Sequence, residues 1–329
     1  MTDQTTILDM MESAGHARAA RRRFIRLCGG AAAMAGGLTL LSACDDDDEQ
    51  STPFPTPTPT PTPSANVDVD ILNFALSLEY LEGAYYNQAA FGQPVRADLT
   101  TGAGTQGAVT GGRQVNFTDP VVADYAREIA FDETAHIRFL RTSLGSAAVA
   151  QPAINIAGDA TGAFTAAARA AGVIGATETF DPYANDENFL VGAYLLTDVG
   201  VTAYRGSARL ITNKTFLEAS AGILATECYH DAAIRSTLWS KGLTRSAIYG
   251  NITKISDTRD TLDGAGDTDQ DIGNATTANF VPAVTNGLAL GRTAPQVLNV
   301  VYQNRAAVTS GGFFPAGVNG NIRTSAANT

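Results

Sequence analysis

Histidine is scarce in this chain: three in 329 residues, at positions 16, 136 and 230. Cysteine is equally scarce, at 28, 44 and 228, so no disulfide framework can staple the fold. Basic charge is short as well: 22 Lys and Arg stand against 33 Asp and Glu, a formal net charge of −11. Gripping a phosphate backbone takes a basic face, so nucleic acid is excluded as a partner. The same deficit argues against a domain lying flat on anionic lipid. The apolar stretch from Leu27 to Ala43 is too short and too rich in glycine for a span, which takes about 20 apolar residues.

Two of the three histidines fall in one repeated pattern, Glu133-Thr134-Ala135-His136 and Glu227-Cys228-Tyr229-His230. Three residues apart on a helix, the carboxylate and the imidazole leave from the same face, one turn apart. Around the first pattern run Val122, Ile129, Glu133, His136 and Leu140; around the second, Ile223, Glu227, His230, Ile234 and Leu238. Each set has the spacing of a core-facing stripe. A bundle helix would carry Leu there, and an unpaired buried carboxylate must protonate or find a partner. Two such intrusions with one spacing point to a shared partner, a metal cluster. The alternative is a pair of buried Glu–His hydrogen bonds that only fix packing. Cys228, about 100° round the helix from Glu227, is expected to be a small packed side chain rather than a redox group.

The early basic residues have a different use. Arg21-Arg22-Arg23-Phe24-Ile25-Arg26 resembles a twin-arginine export signal, and Leu41-Ser42-Ala43-Cys44 resembles a bacterial lipobox. The resemblance implies a removable segment over 1–43, a lipid on Cys44, membrane attachment through it, and a place in the periplasm or cell envelope. Twin-arginine export carries folded proteins, which suits a metal loaded before export. The acidic and Thr/Pro-rich residues 44–66 cannot build a core and read as a tether. Its Thr/Pro part would reach on the order of 40 Å at ~3.1 Å per residue.

From residue 67 helical periodicity dominates. A first helix, capped by Asp68 or Asp70, carries the stripe Leu72, Leu76, Glu79, Gly83 and Tyr86, with Glu82 a turn beyond Glu79. A second opens at Asp119-Pro120 and carries Glu133 and His136. A third, from about Asp186, has Asp198 on the stripe Val191, Leu195, Asp198, Thr202 and Arg205. A fourth, from Asn213 or Thr215, carries Glu227 and His230. The middle connection is long, with a short Ala-rich helix near 162–174. This is an all-α plan, a four-helix bundle with one long crossover over 67–240. Residues 241–329 read as an irregular extension packing on the bundle. One helix is clear there, from Thr293 to about Asn304, and Asp267–Asp271 reads as a solvated acidic turn rather than a calcium loop.

These residues resemble the ferritin-like proteins, whose di-metal site takes a carboxylate from each of two helices and a Glu-x-x-His from each of the other two. The segments Asn73-Phe74-Ala75-Leu76, Asp198 to Tyr204 and Gly311-Gly312-Phe313-Phe314-Pro315 resemble the exported branch linked by name to desiccation. The resemblance implies Glu79, Glu133, His136, Asp198, Glu227 and His230 as metal ligands. Glu79 is preferred to Glu82 because an aromatic, Tyr86, follows it by seven residues. Tyr86 would be a neighbour of the ligands or a packed ring, and Arg205 a counter-charge. Two iron or manganese ions suit such carboxylate-rich ligation. The expected function is consumption of oxygen or peroxide, or oxidation of ferrous iron. The competing expectation is a non-enzymatic, metal-stabilised envelope scaffold that protects during desiccation.

Overall fold

The computed structural model describes residues 67–328. The expected export signal over 1–43, Cys44 and the expected tether over 44–66 lie outside the described residues. Helix α1 runs Val67–Phe91, α2 Pro120–Leu144, α3 Ala163–Ala170, α4 Asp186–Ala208, α5 Lys214–Gly242, α6 Ala247–Asp263 and α7 Ala294–Tyr302. Four two-residue strands stitch the loops: β1 (Val109–Thr110) pairs parallel with β2 (Ile154–Asn155), and β3 (Gly273–Asn274) antiparallel with β4 (Thr277–Ala278). The architecture is all-α, with α1, α2, α4 and α5 as the bundle. Among the described residues no helix is long and apolar enough to cross a membrane.

Local chemistry sets the helix starts. Asp119 accepts from Val121 N at 3.0 Å with Pro120 in the first position, and Asn213 accepts from Thr215 N and Phe216 N at the start of α5. Asn185 does the same for α4, and Thr293 with Gln296 for α7. Asp68 does not cap its own helix. Its carboxylate accepts from Thr212 N, Thr212 Oγ1 and Asn213 N, tying the start of α1 to the α4–α5 turn.

The four long helices are not equivalent. Helix α2 shows a polar face to solvent, but α1 and α4 are apolar nearly all round and buried nearly all round. They pack on α2 and α5 on one side and need cover on the other. The cover comes from the crossover helix α3 and from the C-terminal extension, which joins the same hydrophobic core through Ile252, Ile255, Val297, Val301, Phe313 and Phe314. Gly83 admits α2 against α1, since a Cβ there would lie 2.8 Å from Ile137 Cδ1.

The extension is also held by buried charge. Arg235 of α5 reaches both oxygens of Asp198 at 3.1 and 3.0 Å. Arg259 of α6 reaches Asp198 at 2.6 Å and Asp269 at 2.8 Å, and Arg292 reaches Asp263 at 2.5 Å and Asp269 at 2.7 Å. All three arginines are buried. Such groups are costly to leave unpaired, about 3–5 kcal/mol when one partner is removed. The expectation of a solvated turn at 267–271 is therefore corrected: Asp269 lies buried between two guanidiniums, and Asp271 accepts from Thr253 Oγ1 at 2.6 Å.

Candidate metal centre

Three helices bring six Glu and His side chains, of the kinds that can ligate a metal, together inside the bundle. Helix α1 supplies Glu79 and Glu82, α2 Glu133 and His136, and α5 Glu227 and His230; all six are buried. One donor atom from each of Glu79, Glu133, His136 and Glu227 lies within 4.8 Å of the others. Nδ1 of His136 faces Glu79 Oε2 at 3.2 Å, Glu227 Oε1 at 3.4 Å and Glu133 Oε2 at 3.6 Å. Nδ1 of His230 faces Glu133 Oε1 at 3.3 Å and Glu227 Oε2 at 4.0 Å. Glu133 and Glu227 thus each spread two oxygens between two imidazoles, whose ring centres are 6.4 Å apart. On its other side, His230 Nε2 meets Asp132 Oδ2 at 3.2 Å, a carboxylate that orients the ring with Nδ1 toward the cluster.

Helix α4 gives the cluster no carboxylate. The reading of Asp198 as the third-helix ligand is corrected: both its oxygens are occupied by Arg235 and Arg259. The residue of α4 that faces the cluster is Gly200, two positions on and about 200° round the helix. A Cβ there would lie 3.3 Å from both oxygens of Glu82 and 3.4 Å from Glu227 Oε2. Glu82 occupies the space that a side chain on α4 would fill. Arg205, expected as a counter-charge, is exposed, and the guanidiniums that do neutralise Asp198 come from α5 and α6.

Two tyrosines border the site. Tyr204 donates its hydroxyl to Glu79 Oε1. Tyr86 shares a hydrogen bond of 2.7 Å with Thr197 Oγ1 and packs its ring against Tyr85 and Phe189. The ring touching a cluster carboxylate is therefore Tyr204, and Tyr86 is one step removed. Cys228 is half-buried, and burial, with Asp231 and Glu227 nearby, pushes its thiol up.

Electrostatics tells what the cluster is made for. Burial pushes Glu133 up to about 8, with help from Glu227 and Glu79. Burial, then Glu227, Glu133 and Glu79, carries Glu82 well above the usual carboxylate range. Glu79 falls despite burial, because His136 stands against it. Burial opposes charge on His230, yet Asp132 and Glu133 raise it to about 10. His136 rises too, against burial, through Glu79, Glu133 and Glu227. Without cations, the cluster favours protons on Glu82, Glu133 and both imidazoles.

The hydrogen-bond ledger points the same way. Among the described residues, Glu82 Oε1, both oxygens of Glu133, both of Glu227 and His230 Nδ1 are buried with no hydrogen-bond partner. The Glu133 and Glu227 oxygens face imidazole nitrogens at 3.3–4.0 Å outside hydrogen-bond geometry; acceptors left so in a dry interior are costly, about 1–3 kcal/mol when fully unpaired, and here they converge. Four carboxylates carry a charge of −4, which two divalent cations would balance with both histidines neutral. The residues present fit a di-metal group.

Sequence reasoning missed Glu82, Tyr204 and Asp132. Glu82 was visible as a second acid one turn after Glu79. The signal that would have decided for it is Gly200, a glycine on the matching face of α4 in place of a carboxylate. Asp132 gave no signal, because its partner lies on another helix.

Comparison with known proteins bears on the site. The family model for the ferritin-like domain matches residues 67–240, the span that contains all six side chains. The chain is 29% identical to desiccation-related protein PCC13-62 of Craterostigma plantagineum over 201 residues, 60% of this chain and 62% of that protein. It thus spans less than two thirds of that relative's length. It is 26% identical to ferritin-like catalase Nec2 of Nesocodon mauritianus over 268 residues, 77% of this chain and 83% of that one.

Proposed function

The chain belongs to the ferritin-like family, and on that premise we propose that it is a di-metal carboxylate protein that disproportionates hydrogen peroxide. Glu79, Glu82, Glu133, His136, Glu227 and His230 would hold two ions, iron or manganese, as an oxygen-rich set with two imidazoles suits. Bound there, the pair supplies a reversible two-electron change, so that one peroxide is oxidised to dioxygen and a second is reduced to two waters.

The protein's part is placement, proton handling and dryness. Tyr204, through its hydroxyl on Glu79, fixes that carboxylate's orientation. Asp132 does the same for the ring of His230. Glu82 keeps one oxygen free of hydrogen bonds, so it can take a proton from peroxide and return it to the departing water. The surrounding apolar stripes, Ile129 and Leu140 on α2 and Ile223 and Ile234 on α5, keep bulk water out.

The observation that carries this reading is the convergence of orphaned carboxylate oxygens between two imidazoles. The name of the Nesocodon relative favours peroxide over ferrous iron as substrate. The test loads the chain with iron or manganese and follows peroxide loss and dioxygen evolution. Two peroxides lost per dioxygen formed is the expected result. The name of the Craterostigma relative favours the second reading, a metal-stabilised scaffold that protects the envelope on drying. That reading predicts metal binding with no turnover.

Export by the twin-arginine route and lipid attachment at Cys44 are part of the proposal. Fractionation of cells carrying Arg22→Lys with Arg23→Lys, or Cys44→Ser, tests each step. The first should stay in the cytoplasm and the second should leave the membrane fraction.

A further inference from the structure

A cavity of about 60 Å³ lies on the far side of α1 and α4 from α2 and α5, under the layer that α3, α6 and α7 add. Its wall is almost wholly apolar, with Leu78, Leu196, Val199, Ile255, Val301 and Phe313 contributing. Its inner end is Glu82 and Gly200, the carboxylate of the cluster with a free oxygen and the residue of α4 that has no side chain to cover it. Its outer rim includes Ala170, which is exposed, and the half-buried Thr258 and Gln303.

The contents follow from size and lining. A buried water settles where two to four polar groups can hold it. Of the polar side chains in this wall, Thr258 bonds Lys254 O, Gln303 bonds Ala163 O, and Arg259 is bound to Asp198 and Asp269. Thr258 and Gln303 stand at the outer rim and the Arg259 guanidinium is paired with Asp198 and Asp269, so at the inner end Glu82 is the polar group that meets the space. An apolar cavity of ~150 Å³ stays dry and takes up benzene or xenon. At less than half that volume, this one is too small for an aromatic ring and large enough for a diatomic molecule.

We propose that this cavity is a dry dioxygen site whose inner end meets the carboxylate cluster at Glu82, beside Gly200. It deepens the peroxide reading, on which its use rests: dioxygen formed at the cluster leaves through an apolar space, while polar peroxide and water do not enter it. The space is covered by α3, α6, α7 and Phe313, so the route is built by the crossover and the extension rather than by the four long helices alone.

The experiment pressurises crystals of the full chain with xenon and, separately, with dioxygen. The expected result is one gas site between Leu196, Val199 and Ile255 in both cases, lost in Val300→Phe and in Ala167→Leu, which fill the cavity from two different elements. Ordered water in the cavity, or no gas site in the unaltered chain, overturns the proposal. In metal-loaded chain, either filling variant should lower kcat for peroxide several-fold and leave KM unchanged. Gas binding with an unchanged kcat in both variants overturns the route. Gas binding in a chain that does not consume peroxide at all sinks the proposed function and leaves the gas site standing.

Discussion

Asp198→Asn separates a ligand from a structural charge. As an ion pair, Asp198 serves two buried guanidiniums, Arg235 and Arg259, through contacts of 2.6 to 3.1 Å. Removing the charge from such a pair costs about 3–5 kcal/mol. Part of that cost is offset here. Asp231 lies buried beside Asp198, and burial together with the charge of Asp198 keeps it protonated well above the usual range. Once Asp198 is neutral, Asp231 can ionise in its place, and Arg259 keeps Asp269. The lower end, about 3 kcal/mol, is the expected loss. For a domain of this size each kcal/mol shifts the melting point by about 2–4 °C, so Tm should fall by roughly 6–12 °C. Metal content, read by elemental analysis on the folded variant, should stay at two ions per chain. A variant that melts normally but has lost metal would refute the reasoning and return Asp198 to the ligand set.

Glu82→Gln should do the reverse: metal content falls, while the metal-free variant melts higher than the metal-free parent, because one of the crowded acids is gone; a lower Tm with full metal content would count against Glu82 as a ligand. Tyr204→Phe removes the hydroxyl on Glu79 and should weaken metal affinity about 10–100-fold with the fold intact; metal titration followed by circular dichroism reads both, and an unchanged affinity refutes the role. The metal-free chain should lose stability as pH rises. Glu133, held at about 8, binds its proton more tightly folded than unfolded, so its contribution is lost between the ordinary carboxylate range and pH 8. His230, raised to about 10, contributes fully below its ordinary value and loses that contribution as pH rises toward 10. Each proton is worth at most about 1.4 kcal/mol per pH unit. Melting at pH 5.5 should exceed melting at pH 8.5 without metal and not with it; equal slopes in both forms would refute the exchange of protons for cations.

The bundle was legible because its signals are local. Caps at Asp119 and Asn213 and the stripes around Glu133 and Glu227 state helix, face and burial within a few turns. The two Glu-x-x-His patterns located most of the site for the same reason. Asp198 misled because a core-facing stripe says that a side chain is buried, and a helix buried all round has two interiors to face. One holds the carboxylate cluster, and the other holds guanidiniums from residues up to 61 positions away. Helix α6 was missed because its apolar positions are sparse. Ile248, Ile252 and Ile255 are separated by polar residues, and its buried Arg259 and Asp263 read as surface until their partners Asp269 and Arg292 are in place.

The last stretch of chain has a consequence for the order of events at the ribosome. Asn319 bonds Thr105 O and Ala150 O, Asn321 bonds the first-turn Asp70 of α1, and Asn328 reaches Leu262 O. Helix α1 is thus fastened by a residue 251 positions further along the chain, and its apolar back waits uncovered until that stretch emerges. The bundle cannot be fully fastened while those residues are unmade, so whatever shields α1 in the interval acts on a nascent chain.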